Sequence, residues 1–177
     1  MIKKTKNNNL IIVLSVFLVL VSLFMLGYKQ TNSWFTSSRQ IEITTTIQGL
    51  DIQILQGAST NVTSGTSYIT LSQEILPDTA VPLDLRVKNN TTKTTNVKFK
   101  FEVYVGVTKL SGVTVTLNTT NFEAGTGANA DYFVYKSNPL AANTTVQMMT
   151  AFTVPYSAFS TYDCDTVHVV LTVVAED

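Results

Sequence analysis

The chain has 177 residues and a mass of 19.4 kDa, with 12 basic and 12 acidic side chains and no formal net charge. That length suits one domain with a short appendage, and the absence of a basic excess argues against nucleic acid as a partner. A single Cys (Cys164) excludes an intrachain disulfide, a redox pair and a Cys-based zinc site, and a single His (His168) excludes the two-histidine metal motifs.

The first six residues carry Lys3, Lys4 and Lys6, and Leu10 to Tyr28 follows as an uncharged apolar run of 19 residues. A membrane-spanning helix needs about 20 such residues, and the three lysines place the N-terminus on the cytoplasmic side. Residues 1–33 therefore read as a signal peptide or a transmembrane anchor, and residues 34–177 as one extracellular domain. No Ala-x-Ala follows the run, and Ser33–Trp34 is the candidate cleavage junction. Cleavage and retention both stay open; a retained anchor would hold the membrane through residues 10–28. Without residues 1–33 the remainder carries eight basic and twelve acidic groups, a net charge of −4.

Beyond the leader, period-two alternation recurs along the chain. It marks Ile41–Thr44, Leu50–Ile54, Tyr68–Leu71, Leu83–Asn89 and Val97–Val105. It continues in Val113–Leu117, Tyr132–Tyr135, Val146–Val154 and Val167–Val174. Thr occurs 28 times, and β-branched residues favour strands. Nine short strands with polar turns predict an all-β domain, an antiparallel Ig-like or jelly-roll sandwich preceded by one N-terminal hydrophobic helix. Asn118 to Asp131, with Gly125 and Gly127, reads as the longest irregular loop.

Candidate chemistry is sparse. There is no HExxH, GxSxG, Walker loop or CxxC. His168 lies within a strand pattern between two valines and reads as a packed or surface residue. Cys164 stands between Asp163 and Asp165, which would raise its pKa and blunt its reactivity. Those two carboxylates do not form a calcium loop. The expectation is a protein that is not an enzyme, with no catalytic residues, no metal site and no cofactor.

The order of motifs resembles the TasA/camelysin family of Gram-positive exported proteins, which carry the SipW-dependent type of signal peptide. The pieces that carry the likeness are Trp34-Phe35-Thr36-Ser37-Ser38, Ile47-Gln48-Gly49-Leu50-Asp51-Ile52, Leu76-Pro77-Asp78-Thr79-Ala80, Leu83 to Asn90, and Val169 to Glu176. Between Gly106 and Val146 no family pattern is matched. The resemblance implies a jelly-roll-like sandwich outside the cell whose copies polymerise into biofilm fibres by donor-strand exchange. The donor would run from about Arg39 to Thr46, released by cleavage near Ser33, with Ile41, Ile43 and Ile47 as anchors. The same segment also reads as an ordinary first strand of its own domain.

Three functions are therefore in view. The first is a structural component of the cell surface or biofilm matrix, with itself or other matrix proteins as partner. The second is a membrane-tethered monomer that binds a protein or carbohydrate. The third is a camelysin-like metallopeptidase, which the lack of zinc-spaced ligands disfavours.

Overall fold

Alternating side chains can bury one face only by pairing strands into a sheet and laying that face on another layer. A computed structural model describes residues 14–22, 40–63, 65–137, 139–159 and 167–177, and the chain divides into two compact units, Met1–Thr36 and Ser37–Asp177. In the first unit, residues 14–22 form a helix, α1, with Leu14, Phe17 and Leu18 exposed. Among the described residues no helix is long and apolar enough to cross a membrane. The rest of the Leu10–Tyr28 run lies outside them.

The second unit is mostly β. Its strands are β1 (Gln40–Gly49), β2 (Ile52–Gln56), β3 (Thr60–Asn61), β4 (Gly65–Thr70), β5 (Ala80–Asn89) and β6 (Asn96–Val105). Then come β7 (Thr108–Lys109), β8 (Thr114–Leu117), β9 (Phe122–Ala124), β10 (Phe133–Tyr135), β11 (Thr145–Thr153) and β12 (Val167–Glu176). A one-turn helix α2 (Tyr156–Phe159) follows β11. One sheet has the order β4-β1-β12-β6-β10-β9, with β7 hairpinned onto β6, and the other the order β3-β2-β5-β11-β8. All nine expected segments overlap strands.

The core follows from the alternation. In β6, Val97, Phe99, Phe101, Val103 and Val105 are buried, while Lys98, Lys100, Glu102 and Tyr104 point outward. Phe101 of this sheet meets Phe152 of the other, ring centroids 5.4 Å apart, so the two buried faces share a core. At 0% exposure, Asn89 closes the end of β5: its amide nitrogen donates to the Lys93, Leu140 and Ala141 carbonyls, and its Oδ1 accepts from Thr91.

Two expectations need correction. The sheets are not wholly antiparallel, because β1 runs parallel to β12 over Glu42–Gly49. These are the first and last strands of the unit, so no hairpin imposes opposite directions; the rest of the domain is their crossover. Nor is Asn118–Asp131 irregular throughout: it contains β9, whose Phe122 is fully buried and packs T-shaped against Phe99, ring centroids 5.2 Å apart. In β11, register shifts around Met149 break the alternation, and Met148 and Met149 are both buried.

Candidate functional site

The segment with most functional interest is β1, which lies second from the edge of the larger sheet. On one side it pairs with β12 through eight residues in parallel; on the other, six residues from Gln40 to Thr45 pair antiparallel with β4. From Thr46 onward, β12 is its sole strand neighbour among the described residues. β4 in turn has no described strand partner but β1.

The alternation of β1 decides which side chains fill the core. Ile41 and Ile43 are fully buried, Thr45 is buried on the same face, and Ile47 is half-buried. Among the described residues the Thr45 hydroxyl has no hydrogen-bond partner. Its register neighbours are Leu171 in β12 and Gly65 in β4, and neither side chain can accept. On the outer face, Thr44 Oγ1 lies 3.4 Å from Thr66 Oγ1, and Glu42 sits in register with His168 and Tyr68.

β1 ends at a close approach. Gly49 has φ +102°, and a Cβ there would strike the Ala175 carbonyl of β12, so only glycine suits the position. Leu50 N–H donates to the same carbonyl at 3.0 Å, and Asn90 N–H donates to Asp51 O at 3.2 Å. Leu50 and Asp51 alone separate β1 from β2 in the other sheet.

Of the anchors expected from sequence, Ile41, Ile43 and Ile47 lie together on the inner face of β1. Arg39, Ser33 and Trp34 lie outside the described residues, as does Cys164. The expectation did not single out Thr45 or Gly49. Carrying the alternation through Thr44-Thr45-Thr46 puts Thr45 inward, and that was the available signal.

Elsewhere on the outer face, the Glu102 carboxylate takes Lys100 at 3.0 Å and Lys109 at 2.5 Å. Burial pushes its pKa up, but hydrogen bonds and charge from Lys109 and Lys100 outweigh that and hold it below the usual carboxylate range. His168 stacks on Tyr104, rings 5.3 Å apart and 12° from parallel. On the smaller sheet, burial likewise raises Asp84, yet Arg86 and Gln147 bring it below its ordinary value. These are salt-bridged sheet surfaces, and among the described residues no group of three or more His, Cys, Asp or Glu could hold a metal ion.

Comparison with known proteins finds no matching family model, no matching curated protein and no matching solved structure.

Proposed function

We propose that this chain is an exported, non-enzymatic structural protein of the cell surface or biofilm matrix, whose copies join into fibres by exchanging β1. In this reading the two sheets form a jelly-roll-like or Ig-like sandwich, as the TasA/camelysin resemblance implies. The observation that carries it is the position of β1. Among the described residues it is the first strand of its unit and is joined to β2 by Leu50 and Asp51, so once the leader is cleaved it can leave its place without rethreading another strand. An identical β1 from a second copy offers the same backbone groups and the same Ile41 and Ile43 side chains to β12 and β4. Passed head to tail, such a contact does not close on itself and makes a filament.

The test is N-terminal sequencing of protein recovered from the cell surface, with electron microscopy of the same material. Filaments built of chains that begin near Trp34 support the reading. Full-length chain in the membrane fraction without filaments contradicts it and favours a second one, a membrane-tethered monomer binding a protein or carbohydrate. The apolar helix at residues 14–22, with Leu14, Phe17 and Leu18 exposed, is what speaks for that alternative.

A further inference from the structure

We propose that Thr45 sets the rate at which β1 leaves its place and passes between copies. This inference rests on the strand-exchange reading above. Thr45 is 4% exposed and its hydroxyl is unpartnered, whereas Ile41 and Ile43 on the same face are apolar and at 1% and 0% exposure. Docking β1 strips water from that hydroxyl and returns no hydrogen bond, and undocking restores the water. A buried unsatisfied hydroxyl of this kind shifts such an equilibrium by about tenfold.

The position of Thr45 along the strand sharpens the effect. Among the described residues it is the last of β1 that β4 pairs, and its β4 neighbour, Gly65, has no side chain, with open space where a Cβ would stand. Glu42–Thr44 before it is paired on both sides, Gln40 and Ile41 with β4 alone, and the stretch after it, Thr46–Gly49, among the described residues with β12 alone. The unpaired hydroxyl therefore lies at the junction from which the singly held half can peel.

The consequence is kinetic. A neighbour's seat is identical to the chain's own, so the Thr45 hydroxyl is equally unpaired in both. It cancels from the balance between monomer and exchanged polymer but not from the barrier to leaving either. Val has the shape of Thr without the hydroxyl, so Thr45→Val closes the strand more firmly while leaving the final extent of exchange unchanged.

The experiment mixes the full-length chain with a fluorescein-labelled peptide of residues 40–49 and follows uptake, with denaturant unfolding measured alongside. Thr45→Val is expected to raise the unfolding midpoint and slow uptake about tenfold. Thr46→Val, on the exposed face, adds the same β-branched residue and is expected to change uptake less than about twofold. Uptake by Thr45→Val at the wild-type rate, or a lowered midpoint, overturns the role of Thr45 while leaving strand exchange standing. A wild-type chain that takes up no peptide overturns strand exchange itself, and this inference with it.

Discussion

β12 and β1 are neighbours of equal length in one sheet, and they are held very differently. β12 buries Val167, Val169, Leu171, Val173 and Ala175 along its whole length, flanked by β6 through ten paired residues and by β1 through eight. β1 buries Ile41 and Ile43, then a threonine, and reaches its Gly49 end with one flanking strand among the described residues. Central strands owe their stability to continuous apolar burial and two-sided pairing; a strand that loses both along its length opens at a lower cost than they do, and opening β1 also takes from β4 its described strand partner. In the strand-exchange proposal, this contrast is the one between a permanent frame and a replaceable part.

Substitutions can break or sharpen that contrast. Leu171→Ala in β12 empties a fully buried site and is expected to cost about 3 kcal/mol in urea unfolding, against about 1 kcal/mol or less for Ile47→Ala in the half-buried part of β1. Equal costs would erase the distinction between the two strands. Gly49→Ala forces a Cβ onto the Ala175 carbonyl at a φ of +102° and is expected to lose about 2 kcal/mol. Hydrogen exchange should show the loss concentrated at the β1–β12 end of the sheet. Asn89→Ala, in the smaller sheet, removes the buried amide that ties three carbonyls together and should cost about 2 kcal/mol by thermal unfolding, without faster release of β1.

The smallest effect concerns Glu102. Its folded pKa lies below the ordinary value of 4.5, so its contribution is fully present above that value and is lost as pH falls through the lower folded pKa. Glu102→Gln should cost about 0.5 kcal/mol at pH 7 and nothing at pH 2, as expected for a pair near the surface. Unfolding curves of both proteins at the two pH values check this; a penalty that persists at pH 2 would mean that packing, not charge, holds the side chain.

Much of the fold was legible because half-buried strands announce themselves. Val97–Val105 alternates without a break, and every inward residue of that stretch is buried. What escaped has physical reasons. Thr60–Asn61 and Thr108–Lys109 are too short to show a period. Phe122 is a lone core anchor among Asn, Thr and Gly, so nothing repeats around it. At Met148–Met149 a bulge buries two consecutive residues, which alternation cannot foresee. Direction escaped for another reason: alternation reports which face a side chain occupies and says nothing of whether the neighbouring strand is parallel. The inward facing of Ile41, Ile43 and Ile47 was readable in the same way, whereas Thr45 was hidden by threonines on either side.

The most direct test of the central claim is where the partner of β1 comes from. Thr44 and Val170 are in register on the outer face of the β1–β12 pair, and adjacent strands lie about 4.8 Å apart, within the rough 4.4–6.8 Å span a disulfide bridges. A chain carrying Thr44→Cys, Val170→Cys and Cys164→Ser is concentrated, left to assemble, and then oxidised. Strand exchange predicts a ladder of covalent oligomers on a non-reducing gel that collapses on reduction. A single band of internally bridged monomer, whatever the concentration and time allowed, would contradict it.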